Sequence, residues 1–131
     1  MNKEASGDEP VLLEETYGNV RVLKLNRPAK KNALSGELII ALVTAIDDAI
    51  DDSAVRVIGI TGIGDTFCAG ADLSPSKSRD SAEDTVERVV QLVTGIRVRC
   101  HKPVIAGVNG LAIGAGLSLA MCLSLIHISE P

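Results

Sequence analysis

The sequence predicts an α/β fold, a parallel sheet covered by helices. Three observations carry this expectation. Leu38, Ile39, Leu42, Val43, Ile46, Ala49 and Ile50 recur at three- and four-residue steps, which marks an amphipathic helix over residues 36–51. A short β-branched strand at 55–61 follows it, the order expected of a helix feeding a buried parallel strand. Finally, residues 66–73 and 109–118 share one build: an apolar strand, then small residues, then an apolar helix.

Each element can be justified in chain order. Residues 1–10 are polar and acidic and read as a flexible tail, with no apolar core of a secretory leader. Residues 11–17 and 20–25 read as strands of a hairpin that turns at Gly18-Asn19. In the second strand Val20, Val22 and Lys24 share one face, and Arg21, Leu23 and Leu25 the other. The alternation is imperfect, as expected where both faces are partly covered. Pro28 ends the strand because it cannot donate to a ladder. Ser35 is the expected N-cap of the first helix. A polar stretch at 74–81 precedes a second helix at 82–97, with Val86, Val89, Val90, Val93 and Ile96 on one face. Asp80, Glu83 and Asp84 suit the positive end of its dipole. Residues 104–108 read as another buried strand, turned by Asn109-Gly110, and 114–123 as a helix of small and apolar residues.

Composition excludes several classes. The chain has 131 residues, 46% of them hydrophobic, enough for one packed core. Its single Tyr and single Phe leave no stacking platform for bases, and a net charge of −4 argues against binding a phosphate backbone. The expectation is no nucleic acid partner. The three cysteines, Cys68, Cys100 and Cys122, lack metal-type spacing, so no metal is expected. Their odd count fits a reducing compartment, hence a cytoplasmic protein.

Other readings compete locally. Residues 103–126 hold no formal charge and include Gly110 and Gly114 in a GxxxG spacing, which meets the length of a membrane span. The glycines crowding its middle suit strand, loop and helix better, so no membrane is expected. Gly116-Leu117-Ser118-Leu119-Ala120 loosely follows G-x-S-x-G, but no Asp–His pair follows it as a serine hydrolase requires. Neither a P-loop lysine nor G-x-G-x-x-G is present. Cys68 would need a base such as His101 to act as a nucleophile; the other reading is a small buried cysteine. Lys30 and Lys31 either meet a phosphate or are simply solvated.

The two small-residue stretches bring backbone N–H groups to strand ends, where such groups lack partners. Two of them aimed at one point would make an oxyanion hole. Together with Leu25-Asn26-Arg27-Pro28, Asn32-Ala33-Leu34, Lys102-Pro103-Val104-Ile105-Ala106, Asn109-Gly110 and Gly114-Ala115-Gly116, the stretch from Phe67 to Leu73 resembles the enoyl-CoA hydratase/isomerase (crotonase) family in order and spacing. The likeness covers residues 11–122. It implies the N-terminal half of a ββα spiral core, truncated, that binds an acyl-CoA or enoyl-CoA thioester. The donors to the thioester oxygen fall on Ala71 and Ala115. Ala69, Gly70, Asp72, Leu73, Gly114 and Ser118 fall on the substrate path, and Lys31 near the adenosine end. No cofactor is implied beyond the coenzyme A that the substrate carries. The parent enzyme would be a homotrimer or hexamer.

Two departures qualify what the resemblance implies. Family hydratases carry a glutamate three residues past the second donor, where this chain has Ser118. Serine is no carboxylate base, so isomerase-like enolate chemistry is expected over hydration. The family's second acid falls beyond residue 131, so an inactive fragment that binds CoA esters weakly is the competing expectation. Residues 123–131 depart from the family's continuation and are expected to be non-native.

Overall fold

The computed structural model describes residues 9–72 and 82–112. Strand β1 (Leu12–Tyr17) and strand β2 (Val20–Leu25) form the expected hairpin, with Tyr17 opposite Val20 across the turn. Helix α1 (Gly36–Asp51) then crosses to β3 (Val57–Gly62), which pairs with β2 in parallel. The third strand thus begins two residues later than the apolar run suggests. Strand β4 (Thr66–Cys68) follows after a three-residue turn, and helix α2 is Ala82–Arg99. Strands β5 (Val104–Gly107) and β6 (Leu111–Ala112) complete the described chain. The main sheet has the order β1-β2-β3-β5, parallel except for the β1 edge.

Each helix end has a physical cause. The Ser35 hydroxyl accepts from the Leu38 amide at 3.2 Å, the expected N-cap of α1. At the other end the Lys102 ammonium donates to the carbonyls of Ala49 and Asp52, at 2.7 and 2.9 Å. A cation there meets the negative end of the helix dipole.

One face of the sheet, Leu23, Leu25, Ile58, Ile60, Val104 and Ala106, is buried with Leu38, Leu42, Ala45 and Ile46 of α1. Helix α2 contributes Val89, Leu92 and Ile96 to the same cluster. Here the expected face needs correction. Val90 is 58% exposed, and Leu92 is buried in its place. The set 89, 92, 93, 96 follows the three- and four-residue steps of one helix stripe, and position 90 falls off it.

The second sheet is the main departure from expectation. Residues 66–68 are not a turn into a helix but a strand, β4, paired in parallel with β6. Among the described residues no helix is long and apolar enough to cross a membrane. Because 104–107 and 111–112 are strands, residues 103–126 do not form the continuous helix a span would need.

Gly110 is held by close approach. A Cβ at this position would lie 1.9 Å from the Asp65 carbonyl oxygen and 2.7 Å from its carbon. The obstacle is backbone, so it cannot yield as a side chain would. Gly110→Ala is expected to destabilise the chain by about 3 kcal/mol, measured by urea unfolding. Gly59→Ala is the control: its Cβ would meet Val22 Cγ2 at an ordinary 3.7 Å. Equal effects of the two substitutions would refute the steric account.

Candidate functional site at the Leu34–Ala71 bridge

The site is built where the loop after β2 meets the segment after β4. Pro28–Lys30 makes one turn of 3-10 helix, and Lys31 and Asn32 both adopt left-handed backbone, with φ of 54° and 56°. An asparagine tolerates that region because its short polar side chain can bond locally. Asn32 is fully buried. Its Oδ1 accepts from the Arg27 amide at 2.8 Å, and its Nδ2 donates to the carbonyls of Ile63 at 3.0 Å and Thr66 at 2.8 Å. One side chain therefore ties the loop to the turn between β3 and β4.

The two segments then run side by side. The Ala69 amide donates to the Lys31 carbonyl at 3.0 Å. The Leu34 amide donates to the Gly70 carbonyl at 2.7 Å, and the Asp72 amide to the Leu34 carbonyl at 2.9 Å. This is a parallel bridge between Leu34 and Ala71. In such a bridge Leu34 spends both of its backbone groups on the neighbours of Ala71, and Ala71 directs its own N–H to the opposite side. No described residue accepts a hydrogen bond from that N–H. Ala71 is half-buried, and Gly70 before it has φ of 108°, a conformation that favours glycine.

The remaining expected positions divide sharply. Asp72 is largely buried, and its carboxylate takes the Arg27 guanidinium at 2.9 Å. The other Arg27 nitrogen, Nη1, donates to the Ala33 carbonyl. The Lys31 side chain is exposed. Ala115, Gly114, Ser118 and Leu73, with the helix expected at 114–123, the polar stretch at 74–81 and residues 123–131, lie outside the described residues.

Cys68 is the buried cysteine and not a nucleophile. It is fully buried, and burial pushes its thiol above the ordinary 9.0, outweighing the Gly70 amide that favours the thiolate. His101 is exposed, so it does not share that interior. A raised folded-state value favours the neutral thiol in the fold. The resulting stability is fully present below pH 9.0 and is lost as pH rises through the higher folded value. Urea midpoints are expected to fall on going from about pH 8 to 10, and Cys68→Ala to lessen that fall. An identical pH dependence in the variant would contradict this.

Sequence reasoning missed a third polar link. Asn109 donates from Nδ2 to the Gly62 and Gly64 carbonyls at 3.0 and 2.8 Å, and its Oδ1 accepts from the Gly62 amide at 3.3 Å. Its side chain thus adds a rung past the β3–β5 ladder and holds the turn that feeds β4. The available signal was its place, directly beyond a buried strand and before a glycine. The cavity between α1 and α2, about 350 Å³ and lined by Ile39, Ile40, Val43, Arg88 and Leu92, shares no residue with this site.

The fold and the bridge define a mixed α/β protein of crotonase-like architecture, in which the Ala71 amide has no acceptor among the described residues. The chain belongs to the enoyl-CoA hydratase/isomerase family, whose profile matches residues 15–130. Among its relatives is the 2,3-dehydroadipyl-CoA hydratase of Escherichia coli K12, 39% identical over 119 residues, which are 91% of this chain and 46% of that protein. The probable enoyl-CoA hydratase EchA14 of Mycobacterium tuberculosis is 38% identical over 125 residues, 94% of this chain and 48% of its own. Among solved structures, Pseudomonas aeruginosa PA4980 superposes with a TM-score of 0.79 at 35% identity, covering 91% of this chain and 52% of that one. The chain spans about half the length of the relatives it matches. One relative, from Arabidopsis thaliana, is named as peroxisomal, so family membership does not fix the compartment.

Proposed function

We propose that this chain carries the thioester-binding part of an acyl-CoA- or enoyl-CoA-processing enzyme, with the N–H groups of Ala71 and Ala115 as donors to the thioester oxygen. The observation that carries this reading is the Leu34–Ala71 bridge, which leaves the Ala71 amide without an acceptor among the described residues. The strand register adds support. Cys68 lies opposite Ala112 in the parallel pair, and Ala71 and Ala115 each follow three residues later.

The chemistry follows from where charge develops. When a base takes a proton from the carbon beside the thioester carbonyl, the C–H pair becomes the carbon–carbon double bond and the carbonyl π pair moves onto oxygen, giving an enolate. Fixed donors favour that state over the uncharged ground state. The Escherichia coli relative is a 2,3-dehydroadipyl-CoA hydratase. Here Ser118 stands where the resemblance places a hydratase's glutamate, and serine does not act as a carboxylate base at neutral pH. Isomerase-like or other enolate chemistry is therefore favoured over hydration.

The test is solvent exchange at the α-carbon of a saturated acyl-CoA in D2O, read by mass. Deuterium uptake above background supports the enzymatic reading. Background uptake alongside measurable CoA-ester binding would leave a binding module in its place. A 3-enoyl-CoA that gains conjugated absorption reports isomerisation, and a 2-enoyl-CoA that loses it reports water addition. The second result without the first would reverse the order of preference.

A further inference from the structure

Arg27 reaches both strands of the bridge that presents the Ala71 amide. Its Nη2 donates to the Asp72 carboxylate at 2.9 Å, one residue past Ala71, and its Nη1 to the Ala33 carbonyl, one residue before Leu34. Both side chains of the ion pair are largely buried, at 17% and 16% exposure. Around Ala71 the two segments are joined by the two hydrogen bonds of an isolated bridge, and the Ala69 amide, which donates to the Lys31 carbonyl, adds a third before Gly70. Gly70, with φ of 108°, adds freedom on the other flank of Ala71. These bonds are neutral, and a glycine interrupts them directly before Ala71. A charge-assisted pair across the same two segments is roughly twice as strong as a neutral bond.

We propose that Arg27, through Asp72, is a positioning residue that fixes the direction of the Ala71 N–H. The idea deepens the oxyanion reading above and rests on it. Arg27 does not touch the substrate in this role; it acts through the segment that carries the donor. Direction matters because a displacement of about 1 Å at a catalytic centre costs up to about 10²-fold in rate. The guanidinium is suited to this because its planar fork serves two acceptors at once, which a lysine ammonium on a flexible stem does less well.

The test uses the 131-residue chain with two kinds of readout. The first needs no ligand. Amide hydrogen exchange is compared at Leu34 and Asp72, which make the bridge bonds, and at Val22 and Ile60 in the main sheet. In Arg27→Lys, Leu34 and Asp72 are expected to exchange at least about tenfold faster, with Val22 and Ile60 within about twofold of the parent. Asp72→Asn keeps the shape with a weaker bond, and a smaller change of the same pattern is expected, so the test survives if one variant fails to fold. The second readout is the enolate absorption of bound acetoacetyl-CoA, set against the affinity for coenzyme A alone. The band is expected to weaken about tenfold while CoA affinity stays within about twofold. A general loss of fold would move both sets of amides and both affinities together. Unchanged exchange at Leu34 and Asp72, with the parent's enolate band present, overturns the positioning role alone. A parent chain without any enolate band overturns the oxyanion reading and this role with it.

Discussion

Ala71→Pro is expected to lower enolate formation from acetoacetyl-CoA by about 10²- to 10³-fold while CoA binding changes little. Proline removes the backbone N–H at position 71, while fixing its φ and restricting Gly70 before it. The Gly70 carbonyl and the Asp72 amide, which Leu34 engages, are both retained. The magnitude is that of one oxyanion donor, about 3 kcal/mol of transition-state stabilisation. It concentrates in the reactive state because a ground-state carbonyl bears less charge than the enolate oxygen. The measurement is the enolate band as substrate is titrated, with circular dichroism to verify that the variant is folded. An undiminished band in folded Ala71→Pro would remove Ala71 from the site and leave the family assignment untouched.

Asn32→Ala is expected to cost on the order of 4 kcal/mol of stability, a large share of a single domain's total. Three partners lose their bond at once: the Arg27 amide and the carbonyls of Ile63 and Thr66. The side chain is fully buried, so water cannot simply take its place. Alanine also suits a φ of 56° less well than asparagine does. Unfolding by urea measures the loss. Asn32→Asp separates the contributions, because it keeps an acceptor for Arg27 and loses the two donated bonds. A cost below about 1 kcal/mol for Asn32→Ala would mean that the loop finds other partners.

Elements with a strong local signal were legible before any coordinates. The stripe from Leu38 to Ala49 and the Ser35 cap define α1 as expected, and Gly18-Asn19 turns the hairpin between β1 and β2. The second sheet was not legible. Its strands are three and two residues long, too short for alternation to register, and each exists through the other. The burial of Leu92 in place of Val90 was a phase error on a helix whose valines all look alike. The Arg27–Asp72 pair joins positions far apart in the chain, and nothing near either residue announces it.

The amino-acid order alone determined the α/β class, the hairpin, the first helix and the family likeness, because these depend on side-chain spacing and on residues near in sequence. It also marked Ala71 as small enough to let a ligand approach. Which face of Ala71 stays free was decided only by the tertiary structure. A backbone amide has the same chemistry at every residue, and its availability depends on whether a distant strand has claimed it. Here Leu34 claims the groups on either side of Ala71, and among the described residues none accepts from that one amide.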